Sequence, residues 1–291
     1  MKRGITVKIT ENNFFTTSDG ARIYFEDRGK GLPIVMVPGF LCTTKFFEKN
    51  VEVLSKEFRV ITMDPRGNGN SSKTLVGNTI RRHAQDIREL IDHLQLDHVV
   101  LLGWSLASSV VVQYAADFDQ YRLNGLVTMD GSLFPASGEA WNHHRAKDFN
   151  LDNWFATYLP LYYNTEEFYN KFVARISNAD GMDPETRKML EAECKKTLPW
   201  TALELHYDFI LTNNIPNLQK VTVPYAAFGA QSKAYGLDMV EMYAKQVKGY
   251  SEVDEFYESG HLMFLYEADK FNARLAAFTR KAAELNAASK V

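Results

Sequence analysis

Three residues of this 291-residue chain have the types and the setting for acyl-transfer chemistry: Ser105, Asp130 and His261. A serine hydroxyl is a weak nucleophile until a neighbouring base takes its proton. An imidazole is that base only when a third group holds its tautomer and offsets the charge it acquires. Ser105 stands in Gly103-Trp104-Ser105-Leu106-Ala107. The apolar run from Val99 to Leu102 before it reads as a buried strand, too short for a helix. After it, Ala107, Ser108 and Ser109 open a segment with Val110, Val111 and Tyr114 at helical spacing. Strand, sharp turn and helix with a serine at the apex make a nucleophile elbow. Small flanking residues are required there, because the serine backbone is strained and the helix packs tightly beneath it. The pattern is G-x-S-x-A rather than G-x-S-x-G, a departure of one methyl at Ala107.

The partners follow in the order serine, acid, histidine. Asp130 ends Leu126-Val127-Thr128-Met129-Asp130-Gly131, and His261 lies in Glu258-Ser259-Gly260-His261-Leu262. In that order, and in the segment Ser259-Gly260-His261, the chain resembles the α/β-hydrolase family, in its branch of small esterases, lactonases and non-haem haloperoxidases. The resemblance runs from about Phe14 to about Phe278. It implies a mostly parallel central sheet flanked by helices, with a helical cap inserted after the sixth strand. It also implies a hydrolase acting on ester bonds, with neither metal nor organic cofactor.

One departure from the family pattern decides the choice of acid. Most members carry the acid after the strand that follows the cap, in G-x-x-D, where this chain reads Gly229-Ala230-Gln231-Ser232. A serine cannot both fix a histidine tautomer and compensate an imidazolium. Asp130 stands where some branches of the family place the acid instead, so it is assigned as the third member. Asp238, or another residue after the seventh strand, stays open as the alternative, as does a site with no functional acid.

The oxyanion donors are assigned to the backbone N–H groups of Phe40 and Leu106. Pro33-Ile34-Val35-Met36-Val37 is an unbroken apolar strand of the kind buried on both faces, and it ends at Pro38-Gly39-Phe40-Leu41. The family usually has His-Gly-X at this point. Pro38 replaces the histidine, and because backbone donors do the work the side chains need not match. The plainer reading is a turn that merely ends a strand. Asp64-Pro65-Arg66-Gly67-Asn68-Gly69-Asn70-Ser71 resembles the family loop D-x-R-G-x-G-x-S, and Asp64 is read as a structural residue.

These residues need elements to position them. Phe14 to Asp27 reads as an antiparallel hairpin around Ser18-Asp19-Gly20. Lys45 to Phe58 reads as a helix, and Arg59 to Met63 as a buried strand. Ile80, Ala84, Ile87, Ile91 and Leu94 recur at helical spacing, and His83 and His93 on that helix are expected in solvent. Leu126 to Met129 is the sixth strand. No strand signal appears between Ala136 and about Leu218, a stretch rich in aromatic residues, and Pro184 starts one of its helices. The expected division is therefore a core of residues 1–135 and 219–291 with a cap of 136–218. The core resumes at Val223 to Gly229, with a helix over Gly236 to Val247, a strand over Glu252 to Phe256 and a final amphipathic helix through Phe271, Leu275, Phe278 and Ala282. Alternating apolar strands and helices argue an α/β fold with helices on both faces of a parallel sheet.

The bulk properties exclude several classes. Net charge is −3 and no Lys/Arg run exceeds a pair, so no nucleic-acid footprint is present. Two cysteines, Cys42 and Cys194, are too few for a disulfide framework and fit a reducing compartment. The N-terminus has no apolar signal core, and no run of 18 apolar residues occurs, so a cytoplasmic protein without a membrane span is expected. The adjacent His143 and His144 would point about 100° apart on a helix, which is not the spacing of a metal pair. The expected partner is a small ester or lactone substrate, with no nucleic acid and no membrane; a homodimer is left open. Serine at the nucleophile position speaks against the dehalogenase and epoxide-hydrolase branches, which use aspartate there. A cofactor-free oxygenase, or a haloperoxidase-like enzyme, using the same His–Asp pair is the alternative chemistry. A ligand-binding relative without activity is a third reading.

Overall fold

The computed structural model describes residues 9–142, 150–177, 182–232 and 235–288. His143 and His144 lie outside the described residues. An eight-stranded sheet organises the chain, in the spatial order β1-β2-β4-β3-β5-β6-β7-β8. The strands are β1 (Phe14–Thr16), β2 (Arg22–Arg28), β3 (Pro33–Val37), β4 (Arg59–Met63), β5 (Val99–Trp104), β6 (Leu123–Met129), β7 (Tyr225–Ala230) and β8 (Ser251–Phe256). β1 and β2 form the antiparallel edge, and β2 also pairs antiparallel with β4; the other pairings are parallel.

Every residue of β3, β5, β6 and β7 is buried. Their unbroken apolar runs follow from helices covering both faces, which leaves no solvated side to favour alternation. The parallel register sets Val37 beside Gly103, Gly103 beside Thr128, Trp104 beside Met129, and Met129 beside Phe228. The carboxyl ends of four strands thus lie side by side. Crevices outside such ends are where open α/β sheets bind ligands.

Helix α1 (Glu48–Leu54) follows a 3-10 turn over Thr44–Phe47, so the helix expected from Lys45 is shorter and begins later. Helix α2 (Ile80–His93) starts at Thr79, whose hydroxyl accepts from Arg82 N at 3.2 Å. One expectation for α2 fails. His83 is buried, not solvated, because it stands one turn after Ile80 and one turn before Ile87 on the apolar stripe. Burial, reinforced by the nearby Arg66 and Arg82 charges, pushes its pKa down to about 3. His93 is exposed and stacks on Phe15.

Helix α3 (Leu106–Asp117) leaves the end of β5. Between β6 and β7 come α4 (Leu151–Tyr158), α5 (Pro160–Tyr163), α6 (Thr165–Ile176), α7 (Pro184–Cys194) and α8 (Pro199–Leu211), with no strand among the described residues there. Pro160, Pro184 and Pro199 each open a helix, where a missing N–H costs nothing. Asp183 caps α7 by accepting from Thr186 N at 2.9 Å. Trp154, Leu161, Phe168, Phe172, Leu190, Leu205 and Phe209 turn inward from this segment and join the main apolar core. After β7 the chain adds α9 (Leu237–Gln246), then β8, α10 (Met263–Tyr266) and α11 (Ala268–Ala288).

Candidate active site

Ser105 lies directly beyond Trp104, between β5 and α3, with φ +57° and ψ −125°. Such a backbone costs a non-glycine residue about 1–3 kcal/mol and persists only where its surroundings impose it. Here they do. Ser105 N donates to Met129 O at 2.8 Å, which extends the β5–β6 pairing by one residue, and Ser108 N donates to Ser105 O at 2.9 Å. The Ser108 hydroxyl donates back to Gly103 O at 2.9 Å. A Cβ on Gly103 would stand 2.2 Å from Ala107 O, so the helix is pressed against the strand end. The Ala107 methyl itself is buried without disturbing this packing. A Cβ on Gly39 would stand 2.7 Å from Ser105 Cβ, so the β3 turn abuts the serine.

His261 sits in a 3-10 turn, Gly260–Leu262, that follows β8. Its carbonyl accepts from Trp104 Nε1 at 3.1 Å, and its ring lies 5.0 Å from the Trp104 ring and 5.6 Å from that of Tyr235. Asp130 directly follows β6, at φ +44°, and its N–H donates to Phe228 O at 2.8 Å. Its side chain is wholly buried. Asp130 Oδ1 accepts from Ala230 N at 3.2 Å, and Oδ2 lies 2.6 Å from His261 Nδ1. His261 Nε2 lies 3.0 Å from Ser105 Oγ. An ionised carboxylate can only accept, so Nδ1 carries the ring proton and Nε2 presents its lone pair to the serine hydroxyl.

The structure therefore brings Ser105, His261 and Asp130 into one hydrogen-bonded line. Ser232, which stands in place of the acid of G-x-x-D, accepts from Tyr235 N at 3.0 Å within its own turn. Asp238 lies in the first turn of α9, where its Oδ1 accepts from Met239 N.

Leu106 directly follows Ser105, and Phe40 directly follows Gly39, which abuts it. Leu106 is the first residue of α3, so its N–H is among those with no partner inside the helix, at the positive end of the helix dipole. Phe40 follows Gly39 in a turn closed by Cys42 N donating to Gly39 O at 3.1 Å and by Cys42 Sγ donating to Phe40 O at 3.1 Å. Leu41 in that turn has φ +63°, a third non-glycine residue at positive φ after Ser105 and Asp130.

Asp64 directly follows β4 and braces the loop after β3 as well as its own. Its two oxygens accept from Thr44 N and Asn70 N, both at 2.8 Å, and burial raises its pKa to about 6. Arg66, buried in the same loop, pairs with Asp86 at 2.6 Å and with Asp19 at 2.8 Å, tying the hairpin turn to α2. Trp104 and His206 are near the site without having been singled out from the sequence. Trp104 carried a signal, as the one ring in an otherwise aliphatic and glycine-bearing strand. His206 carried none.

Among the described residues, no three His, Cys, Asp or Glu side chains cluster so as to hold a metal ion. No helix among them is long and apolar enough to cross a membrane. An AB hydrolase superfamily protein of Bacillus subtilis, YisY, is 24% identical over 281 residues, covering 92% of this chain and 98% of that one. Among solved structures, an esterase of Exiguobacterium antarcticum superposes with a TM-score of 0.84 at 23% identity, covering 92% of this chain and 99% of that one. A bromoperoxidase of Bacillus anthracis does so at 0.83 and 20% identity, covering 90% and 96%. A family model of the alpha/beta hydrolase fold matches residues 33–268. With that match spanning the sheet from β3 to β8 and on past His261 to Ala268, the chain belongs to the alpha/beta hydrolase fold family.

Proposed function

We propose that this protein is a serine hydrolase that cleaves a small carboxylic ester or lactone through an acyl-enzyme on Ser105. The observation that carries the reading is the line Ser105 Oγ–His261 Nε2–His261 Nδ1–Asp130 Oδ2, at 3.0 and 2.6 Å, anchored on a strained turn. Ser105 Oγ attacks the substrate carbonyl while its proton passes to Nε2. The buried Asp130 carboxylate holds the imidazole and offsets the imidazolium that forms. The Phe40 and Leu106 amides take the oxyanion of the tetrahedral intermediate. Collapse breaks the C–O bond, and His261 returns the proton to the leaving alcohol. In a lactone that alcohol stays attached to the acyl group. Water, deprotonated by His261, then attacks the acyl-enzyme, and the carboxylic acid departs as Ser105 regains its proton.

Residues 136–218 act in this reading as a helical cap on a core of 1–135 and 219–291. The aromatic residues of that segment supply walls for the acyl or alcohol group. Two buried cysteines without a disulfide fit work in the cytoplasm.

Labelling with a fluorophosphonate, competed by esters and lactones of graded chain length, tests the reading and ranks substrates. Ser105→Ala should abolish labelling and lower ester turnover by roughly four to six orders of magnitude. Labelling at another serine with turnover kept would overturn the assignment. The likeness to a bromoperoxidase favours one second reading, in which hydrogen peroxide replaces water on the acyl-enzyme and releases a peracid. Halide oxidation that needs an added carboxylate and vanishes in Ser105→Ala would support it.

A further inference from the structure

Phe40 carries an amide assigned above to the oxyanion, and its side chain is gripped by helices that come much later in the chain. Its ring meets Tyr158 of α4 at 6.1 Å, Phe172 of α6 at 5.8 Å and His206 of α8 at 4.9 Å, each edge to face. His206 is the nearest of the three and is itself held. Trp154 Nε1 donates to His206 Nδ1 at 2.7 Å, and the Tyr158 ring lies 3.8 Å from the imidazole on centroids. Trp154 and His206 are both buried. An indole nitrogen only donates, so Nδ1 bears no proton and the ring proton is on Nε2. That hydrogen bond fixes the tautomer of the ring that abuts Phe40.

Beside Phe40 the backbone takes a positive φ at a non-glycine residue. Leu41 is left-handed, and the turn is closed by Cys42 through its N–H and its thiol, with Asn68 Nδ2 donating to the Cys42 carbonyl at 3.0 Å. A peptide in that conformation relaxes when the side chains that impose it are loosened. We infer that His206 is a positioning residue: locked by Trp154, it holds the Phe40 ring and through it the Phe40 N–H that faces the oxyanion. The inference rests on the hydrolase reading above. It makes transition-state stabilisation depend on α4 and α8, neither of which supplies a reacting group.

Trp154→Phe keeps an aromatic ring and removes only the donor and one fused ring. His206→Leu removes the acceptor. Each should lower kcat on a short ester about 10- to 100-fold, less than the loss of an oxyanion donor outright, with KM within about threefold. Affinity for a trifluoromethyl ketone, which loads the oxyanion position as a hemiketal on Ser105, should weaken by the same factor. The double variant should lose no more than the worse single one, since both break one bond. Melting temperature and near-UV circular dichroism check folding, and Trp154→Phe decides the matter if His206→Leu does not fold.

A folded Trp154→Phe protein with wild-type kcat would overturn the inference. So would a loss confined to KM with ketone affinity unchanged, or single losses that multiply in the double variant. Each of these requires that fluorophosphonate still titrates Ser105 fully in the wild-type chain. Failure of that titration would instead overturn the hydrolase reading and this inference together.

Discussion

Asp64 directly follows β4 and Asp130 directly follows β6, and both are wholly buried at the carboxyl edge of the same sheet. Asp64 has its two oxygens engaged by the amides of Thr44 and Asn70, so the carboxylate is enclosed in its own loop system. Asp130 has one oxygen on the amide of Ala230 and the other on His261 Nδ1. Burial alone therefore does not make an acid available to chemistry. One oxygen must be left over from the backbone and aimed at a side chain. The two histidines divide in the same way. His83 is buried among apolar neighbours with its Nε2 unpartnered, whereas both ring nitrogens of His261 have partners at hydrogen-bond distance.

The comparison breaks first at Asp130. Asp130→Asn should leave the fold intact and lower ester turnover by about 10⁴-fold, because an amide can hold the imidazole in the wrong tautomer. Near-normal turnover in this variant, with a severe defect on replacing Asp238, would show that the acid was misassigned. Steady-state kinetics on one ester read both.

Asp64→Asn should do the reverse. The new amide sets an NH₂ against a backbone N–H, leaving a donor unpaired at a cost of about 1–3 kcal/mol in stability, with kcat within about tenfold of wild type. Urea unfolding beside the kinetic assay separates the two effects. A catalytic loss as large as that of Asp130→Asn would erase the distinction between the loops.

The histidines are sharpened by pH. His83 has its folded pKa depressed to about 3 from 6.5, so between those values the unfolded chain binds the extra proton. Its contribution is fully present above about 6.5 and is lost as pH falls, at about 1.4 kcal/mol per pH unit. Asp64 works oppositely. Its raised pKa favours the folded state below 3.8, and that advantage is lost as pH rises through about 6. His83→Leu should therefore flatten the acid limb of the stability curve, measured as the wild-type minus variant difference between pH 6.5 and 4. Parallel curves would mean that His83 is charged in the fold.

Ser232→Ala should have the smallest effect, under about tenfold in turnover, since its hydroxyl accepts from Tyr235 N in a local turn and His261 Nδ1 is already engaged by Asp130. A larger loss would bring that loop into the site.

Much of this arrangement was legible because it is local. The buried strand, the small residues around Ser105 and the helix after it are read from neighbouring positions, and the strain at φ +57° is the physical reason for that local pattern. The apolar strands β3, β5, β6 and β7 were legible for a similar reason, since a strand covered on both faces cannot alternate. His83 was misread although its signal was present: charged neighbours in sequence hid its place on the apolar stripe. His206 had no local signal at all, because its meaning comes from Trp154 and Phe40 on other elements.

The sequence by itself determined the candidate nucleophile, the candidate base and the class of fold, since those depend on patterns within a few residues of each other. Only the tertiary structure decided which carboxylate meets His261. Asp130 and His261 are 131 positions apart, and a 2.6 Å contact between them exists because parallel pairing puts the ends of β6 and β7 side by side and lets the loop after β8 return over both. A hydrogen bond is sensitive to a fraction of an ångström, and register across a sheet is what supplies that precision.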